Sequence, residues 1–269
     1  MKPSNRPVVL VAGGAGVVGS GIVKEFLRNN YLVVVPSRRS EALSKLVQEI
    51  PHEHQANLVT ISRLSAHSIN TPHEMFEVNS AVNLLDEWVL YIKTVIMEKF
   101  GRLDHVVSCM GQWWQNGYPT EVSTPEYLEI LYNTVLSHFV FAKHFLTRVM
   151  NLKTYTFITG FAATNVMFAR MGLLTSAGAA LLGLIKALEK EVEEKDLPVR
   201  VNELRIGAYI VPTEHVEEKK REHSNTFSHD LIGQYVFRIV TETEERGKTF
   251  IFKKEDHLNE MSTHPQPNM

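Results

Sequence analysis

The first residues with a chemical signature are three glycines, spaced three apart, that follow an apolar segment. Gly13, Gly16 and Gly19 come directly after the apolar run 8–11 and precede a segment with helical spacing of apolar residues. In a strand–turn–helix unit, such glycines make the tight turn, let the backbone approach a pyrophosphate and let the helix pack close to the strand. The phosphates then lie on unpaired N–H groups at the start of the helix. The alternative is that the glycines only punctuate a loop. We predict a dinucleotide site formed by Gly13, Gly14, Ala15, Gly16, Val17, Val18 and Gly19.

The residues after the second apolar run distinguish between the two nicotinamide dinucleotides. Residues 31–35 are apolar, and Ser37, Arg38 and Arg39 follow them. At this point an NAD-binding sheet carries an acidic side chain that hydrogen-bonds the adenosine ribose. A carboxylate repels a 2′-phosphate, whereas a guanidinium binds it in a forked geometry. We therefore expect NADP(H) rather than NAD(H), with these three residues at the phosphate. In the alternative, the two arginines only form a solvated helix entry.

Strand and helix patterns alternate along the chain and must position these residues. Alternation of this kind predicts a parallel sheet with helices on both faces. The predicted strands are 8–11, 31–35, 58–61, 105–108, 155–159, 199–206 and 249–252. The predicted helices are 20–29, 41–49, 83–100, one or two within 125–150, and 176–195. We predict a single Rossmann-like, doubly wound α/β domain over residues 1–258, with a seven-stranded, mostly parallel sheet. Residues 60–72 read as a surface loop and residues 259–269 as a flexible tail.

The composition is that of an ordinary globular protein and excludes several classes. The chain has 269 residues, 44% hydrophobic and 22% charged, and a formal net charge of -2, so no basic field for nucleic acid exists. Cys109 is the only cysteine, which excludes an internal disulfide. Residues 1–7 lack an apolar signal core, and we find no apolar run of membrane-spanning length. We expect a cytoplasmic protein that binds a small molecule, with no nucleic-acid or membrane partner.

Three segments resemble the short-chain dehydrogenase/reductase family. Residues 12–19 are similar to that family's glycine motif. Residues 101–111 are similar to the segment that ends in Asn-Asn-Ala-Gly, of which this chain keeps only the glycine, and residues 199–207 resemble the sixth strand and the turn beside the nicotinamide. The resemblance implies an oxidoreductase whose cofactor is also contacted by Cys109, Met110, Gly111 and Gly207.

The catalytic centre implied by the resemblance is altered. The family uses a tyrosine, a lysine four residues later and a serine from the fifth strand. Leu174 and Gly178 stand at the tyrosine and lysine positions, and Gly160 lies near the serine position with Thr159 beside it. None of the eight tyrosines is followed four residues later by lysine. The resemblance places Asn133 at the helical asparagine that supports the proton relay, so Asn133 and Thr159 are the candidate catalytic residues.

Three hypotheses follow, because the residues predicted to bind the cofactor are intact and those at the implied catalytic positions are altered. The first is an atypical NADP(H)-dependent oxidoreductase with a non-standard proton route, for which the easiest acceptor, such as an iminium ion, needs no protonation. The second is a catalytically inactive NADP(H)-binding sensor or scaffold. Non-redox chemistry in the same pocket, such as isomerisation or cyclisation, is the third.

The segment after the fourth strand is the candidate substrate pocket. Gln112, Trp113 and Trp114 lie where an open parallel sheet binds its ligands, although the indoles could instead plug the core. His138 is either a substitute acid or a packed helix residue, and 214–223 is either a lid or a surface helix. The histidines lack the spacing of a metal site, so none is predicted. The resemblance assigns helices near 128–145 and 177–188 to a subunit contact, which implies a homodimer or homotetramer.

Overall fold

The computed structural model of the chain describes residues 5–62, 78–149 and 151–254. A seven-stranded sheet in the order β3-β2-β1-β4-β5-β6-β9 forms its centre, and every neighbouring pair is parallel. These strands are β1 (Val8–Ala12), β2 (Leu32–Ser37), β3 (Leu58–Ser62), β4 (His105–Ser108), β5 (Thr154–Gly160), β6 (Arg200–Ile206) and β9 (Thr249–Phe252). The seven predicted strands are confirmed. Residues 60–62 belong to β3 instead of the predicted loop, and residues 63–72 and the predicted tail lie outside the described residues.

Helices cover both faces of this sheet. They are α1 (Val17–Arg28), α2 (Ser40–Glu49), α3 (His52–Gln55), α4 (Val78–Phe100), α5 (Thr124–Leu131), α6 (Ser137–Phe145), α7 (Gly172–Glu194), α8 (Val216–Lys220) and α9 (His229–Thr241). Side chains alternate between the two faces of a strand, so each face has its own core. In β1, Val8 and Leu10 join the core under α4, α6 and α7, whereas Val9 and Val11 join the core under α1 and α9.

Helix α9 and a small second sheet were not predicted from the sequence. Strands β7 (Tyr209–Val211) and β8 (Thr226–Ser228) pair in parallel apart from the main sheet, and α8 lies between them in the chain. Helices α1 and α9 cross at two glycines. A Cβ atom on Gly21 would overlap the carbonyl oxygen of His229, and one on Gly233 would overlap the carbonyl oxygen of Gly21. The two helices therefore meet backbone to backbone.

Helix α7 bears on the expectation that no apolar run reaches membrane-spanning length. The segment Ala169–Glu194 is long and apolar enough to cross a membrane, with a mean hydropathy of 1.7 in its most apolar window. In the structure, Leu181, Ile185 and Leu188 of this helix pack in the same core as the sheet residue Phe157. A helix that covers a sheet passes the same length-and-composition test, and the residues that pack against the sheet account for part of the apolar character of α7.

Candidate functional site

The glycine turn between β1 and α1 is held by backbone contacts that exclude side chains. Gly13 has φ +88°, and a Cβ atom there would lie 2.5 Å from the carbonyl oxygen of Cys109. A Cβ atom on Gly19 would overlap the carbonyl oxygen of Gly13. At Gly16 the nearest atom to a Cβ would be that same oxygen at 3.3 Å. Gly13 therefore makes the tight turn and Gly19 the close helix packing, as the spacing predicts.

The first turn of α1 offers backbone N–H groups that no side chain satisfies. Gly16 is the N-cap residue and makes no side-chain capping bond, and the first turn contains no acidic residue. Val17 is 47% exposed, so this end of the helix is open. The unpaired N–H groups and the helix dipole favour an anion here. The turn and the helix end together fit a diphosphate.

The end of β4 packs directly against the glycine turn. The Cys109 backbone N–H donates to the Ala12 carbonyl oxygen at 2.9 Å, and a Cβ on Gly13 would lie 3.0 Å from the Met110 nitrogen. Burial raises the pKa of the Cys109 thiol to about 12, so this residue is a neutral thiol. Gly111 has φ +144°, a conformation that side chains rarely adopt. The predicted cofactor residues of β1 and β4 therefore form one continuous surface.

His138 lies beneath this surface and is packed rather than presented to the pocket. Its Nδ1 is 2.7 Å from the Ser108 hydroxyl and its Nε2 is 2.9 Å from the Met110 carbonyl oxygen. A neutral imidazole that donates from Nε2 and accepts at Nδ1 satisfies both contacts. The ring is fully buried, and burial lowers the pKa of His138 to about 4. Of the two interpretations of His138, the structure therefore favours a packed helix residue over a substitute acid.

One hydrogen bond joins a residue predicted to bind the 2′-phosphate to a residue predicted to be catalytic. Arg38 Nη2 donates to Asn133 Oδ1 at 2.9 Å, and the Arg38 guanidinium carbon lies 5.7 Å from the ring centroid of Tyr132. Asn133 is 9% exposed and belongs to a π-helical segment (Tyr132–Leu136) between α5 and α6. Such segments are frequent at functional sites. Arg39 is exposed and precedes α2, and its backbone N–H donates to the Ser37 hydroxyl at 3.1 Å.

The position implied for the lysine leaves no space for a side chain, and the position implied for the tyrosine holds a buried leucine. Leu174 is only 8% exposed. A Cβ atom on Gly178 would lie 2.8 Å from both Cα and Cβ of Ala163, which belongs to the short helical turn after β5 (Phe161–Ala163). At Gly160 the nearest atom to a Cβ would be the Ile206 carbonyl oxygen at 3.8 Å, an ordinary contact. The serine-like position therefore has room for a side chain, whereas position 178 does not.

Thr159 is bound to a buried carboxylate that the sequence analysis did not single out. Its hydroxyl donates to Glu203, which is 1% exposed. Glu203 also accepts two bonds from Arg205 at 2.8 Å each and one from the Thr249 hydroxyl at 2.9 Å. Because its proton is directed at Glu203, Thr159 stabilises the sheet between β5, β6 and β9, and its proposed catalytic role is not carried further.

Gly207 lies in close contact with the segment that follows β5. A Cβ atom there would be 2.8 Å from Cδ2 of Phe161, and the Gly207 N–H donates to the Phe252 carbonyl oxygen at 2.7 Å. The Lys253 ammonium lies 4.3 Å from the centroid of the Phe161 ring. The close packing explains why this turn carries glycine.

The two neighbouring tryptophans have different roles. Trp114 is 5% exposed, packs with Ile130 and Ala177, and donates from Nε1 to Glu126 at 3.1 Å. Trp113 is 60% exposed. It borders a cavity of about 260 Å³ that is lined by Gln112, Trp113, Trp114, Asn116, Glu126, Glu129 and Ile130. The core-plug interpretation therefore applies to Trp114, and Trp113 is the indole exposed beside the cavity.

Several residues of this region were not predicted from the sequence. Glu126 and Glu129 make the cavity acidic, Tyr132 stacks under Arg38, and Ala163 fills the space beside Gly178. Glu203 shares its strand with Arg200, Asn202 and Arg205, so its charge alone did not single it out. The other contacts join distant segments and leave no local pattern. Among residues 5–62, 78–149 and 151–254, no group of three His, Cys, Asp or Glu residues could hold a metal ion.

A glycine turn of this geometry on a doubly wound parallel sheet defines a dinucleotide-binding fold. The comparisons give the family: residues 7–224 match the model of the short chain dehydrogenases. The chain belongs to that family and is an oxidoreductase of the short-chain dehydrogenase/reductase type.

Individual relatives are distant. The chain is 26% identical over 241 residues to a protein of Bacillus subtilis (strain 168) named "Uncharacterized oxidoreductase YxjF", covering 87% of this chain and 84% of that protein. The structure of this chain is similar to that of ElxO with NADP bound, with a TM-score of 0.71 and 20% identity. The match covers 94% of this chain and 99% of the ElxO chain. An alcohol dehydrogenase from the archaeon Thermococcus sibiricus, complexed with 5-hydroxy-NADP, gives a TM-score of 0.70 at 18% identity, covering 98% of this chain and all of the other. At these identities the two structures show the common fold.

Proposed function

We propose that this chain binds NADP(H) and transfers hydride to or from a small organic substrate without the proton relay of a tyrosine–lysine pair. The observation that carries the proposal is the glycine turn, locked against the Cys109–Met110 peptide at the open end of α1. Backbone N–H groups of that helix end would hold the diphosphate. Cys109, Met110, Gly111 and Gly207 would line the site toward the nicotinamide.

The 2′-phosphate would be read by the end of β2. Ser37 stands where a carboxylate would favour NAD(H), and Arg38 and Arg39 are exposed beside it. The names of the two structural relatives, one with NADP and one with 5-hydroxy-NADP, support the same choice. A guanidinium binds a phosphate through paired, charge-assisted hydrogen bonds.

The substrate side favours an acceptor that needs no proton. When bound, the reduced cofactor supplies a hydride. Leu174 and Gly178 provide no acid, and the Thr159 hydroxyl is committed to Glu203. Glu126, Glu129 and the exposed face of Trp113 make the cavity suitable for an organic cation. We therefore propose iminium-type acceptors, whose carbon takes the hydride while the nitrogen becomes a neutral amine. The amides of Asn133 and Gln112 would orient the substrate.

Single-turnover reactions with NADPH test this function. The acceptors are a ketone, an enone and an iminium ion of matched size, followed by loss of the reduced nicotinamide absorbance. General acid catalysis contributes about 10²–10⁴-fold, so the iminium ion should react faster than the ketone by at least about 10²-fold. Glu129→Gln should reduce only the preference for the cation. Hydride transfer to none of the acceptors would contradict the redox part, and failure to bind NADPH would contradict the cofactor part.

A second candidate function is NADP(H) binding without turnover. The contact between Gly178 and Ala163 favours it, since that position has lost the space for a lysine along with the lysine itself. A sensor or scaffold of this kind would gain stability from NADPH by mass action and yield no redox product. Thermal unfolding with and without NADPH, combined with the acceptor panel, separates the two functions.

We also propose that the chain forms a homodimer or homotetramer through α7. The exposed face of this helix carries small side chains, namely Ser176, Ala179, Ala180, Gly183 and Ala187. The family resemblance assigns this helix to the subunit contact. Sedimentation equilibrium measures the assembly, and a monomer at micromolar concentration would contradict the proposal.

A further inference from the structure

We infer that the hydrogen bond between Arg38 and Asn133 is a latch across the cofactor crevice, opened when the 2′-phosphate of NADP(H) replaces Asn133 as the partner of Arg38. The inference rests on the proposed NADP(H) binding and adds a specificity mechanism to it. The residues of the latch are Arg38, Asn133 and Tyr132, joined by the 2.9 Å hydrogen bond and the 5.7 Å guanidinium–ring contact.

The topology places this contact over the crevice. Arg38 follows β2, and Asn133 lies in the helical segment that follows β4. Strand β1 lies between β2 and β4 in the sheet, so the Arg38 side chain must pass over the carboxyl end of β1. That end begins the glycine turn. In sheets of this kind the ligand lies outside the carboxyl ends of the strands, where the strand order reverses, here between β1 and β4. A dinucleotide therefore has to move Arg38 before it settles.

The two ends of the latch are unequal partners. Arg38 is exposed and can swing outward, whereas Asn133 is almost buried and fixed in its π-helical segment. Asn133 offers one neutral amide oxygen to the guanidinium. A phosphate offers charged oxygens and a paired geometry, so it is the stronger acceptor. When NADP(H) binds, Arg38 loses its hydrogen bond to Asn133 and gains a stronger one to the 2′-phosphate. When NAD(H) binds, Arg38 loses the same hydrogen bond and gains no phosphate contact. The latch thus weakens NAD(H) binding and increases discrimination.

Opening the latch also releases the side chain that the family resemblance places in the catalytic centre. While Arg38 holds Oδ1, the Asn133 amide is oriented toward β2. When Arg38 turns to the phosphate, that amide becomes available to the substrate side. The two sites are therefore coupled, and the coupling is reciprocal in binding free energy. Cofactor binding would precede productive use of Asn133.

Titrations of the full chain with NADPH and with NADH test the latch through the sign of each change. Asn133→Ala removes the latch and should tighten both nucleotides by about threefold to tenfold, because the competent state no longer has to be formed. Arg38→Ala should weaken NADPH by about tenfold or more through loss of the phosphate contact. The same substitution should tighten NADH by about threefold, because the latch is gone. In the Arg38→Ala background, Asn133→Ala should change neither affinity.

Two further variants keep the test decisive if Asn133→Ala does not fold. Asn133→Asp strengthens the bond to Arg38 and should weaken both nucleotides. Tyr132→Leu removes the stacked ring and should tighten both slightly. Arg28→Ala removes the same charge at the far end of α1, where Arg28 pairs with Glu25 at 3.3 Å, and should alter neither affinity.

The outcomes separate the latch from the proposed function. Unchanged NADH affinity in Arg38→Ala would overturn the latch and leave Arg38 as a phosphate ligand only. Weaker NADPH binding in Asn133→Ala would also overturn it, because Asn133 would then be preparing Arg38 for the phosphate. If the unmodified chain binds neither nucleotide, the proposed function fails together with the latch. If it binds NADPH and the variants do not follow these signs, the latch alone fails.

Discussion

Gly178 of α7 and Ala163 of the turn after β5 are in direct backbone contact, so that a Cβ atom on Gly178 would lie 2.8 Å from both Cα and Cβ of Ala163. The family resemblance assigns position 178 to a lysine. The structure has filled the space that such a side chain would occupy. Reintroducing Tyr at 174 and Lys at 178 would therefore disrupt packing between α7 and β5 before it could restore a proton relay.

The first prediction concerns two glycines of the same helix. Gly178→Ala should lower the free energy of unfolding by about 1–3 kcal/mol, because a methyl group forced into a packed site shifts the backbone around it. Gly183 is the matched control within one chain, since a Cβ there would meet nothing of the same chain within 4 Å, and both variants are compared at a concentration where the chain is monomeric. Gly183→Ala should raise the free energy of unfolding by about 0.5–1 kcal/mol, because alanine restricts the unfolded chain and favours helix. Urea denaturation measures both, and equal effects would contradict the packing at Ala163.

The second prediction is a loss of stability between pH 6.5 and pH 4, to which two buried histidines contribute. His138 contacts Ser108 and Met110, and Nδ1 of His105 lies 2.9 Å from the Thr154 hydroxyl. Burial lowers the pKa of both imidazoles from 6.5 to about 4. Between these values the unfolded chain binds more protons than the folded chain, so stability falls as the pH falls. Each histidine should contribute roughly 3 kcal/mol over this interval.

Glutamine variants show how much of this pH dependence of stability comes from each histidine. His138→Gln keeps a donor and an acceptor on an uncharged side chain and should remove about half of the pH dependence, by the same linkage. His105→Gln should remove most of the remainder. Denaturant unfolding in buffers from pH 7 to pH 4 provides the measurement. A free energy of unfolding that stays level over this range would show that neither ring is buried in its neutral form.

Much of the fold could be predicted because the local patterns were unambiguous. Buried parallel strands such as 8–11 and 31–35 are apolar throughout, since both faces of the sheet are covered. The glycine turn was equally readable, because Gly13 and Gly19 each answer a separate steric demand. Helix α9 carries an apolar face that includes Ile232, Val236 and Ile239, so its signal was present although it was missed. Strands β7 and β8 have three residues each, too few for periodicity to show.

The chemistry of the site was less predictable because it depends on contacts between distant segments. Thr159 read as a catalytic candidate from its position beside Gly160, but its partner Glu203 lies 44 residues away. Arg38 and Asn133 were assigned to different functions from their own strand and helix. They are 95 residues apart in the chain, but they meet because only one strand, β1, separates β2 from β4 in the sheet. Strand order decides which side chains meet, and no local pattern records it.

The third prediction compares two adjacent tryptophans whose environments differ. Trp114→Ala should lower the free energy of unfolding by about 3–5 kcal/mol, because it empties a buried site against Ile130 and Ala177 and leaves Glu126 without its indole donor. Trp113→Ala removes a largely exposed ring and should change the free energy of unfolding by less than about 0.5 kcal/mol. If the cavity accepts an organic cation, Trp113→Ala should also raise the KM for the iminium acceptor, since the loss of a cation–π contact is worth about 0.5–1 kcal/mol at an exposed site. Denaturant unfolding and initial rates at saturating NADPH give the two readouts. Equal destabilisation by both substitutions would contradict the difference in burial between the two rings, and an unaltered KM in Trp113→Ala would place the substrate away from Trp113.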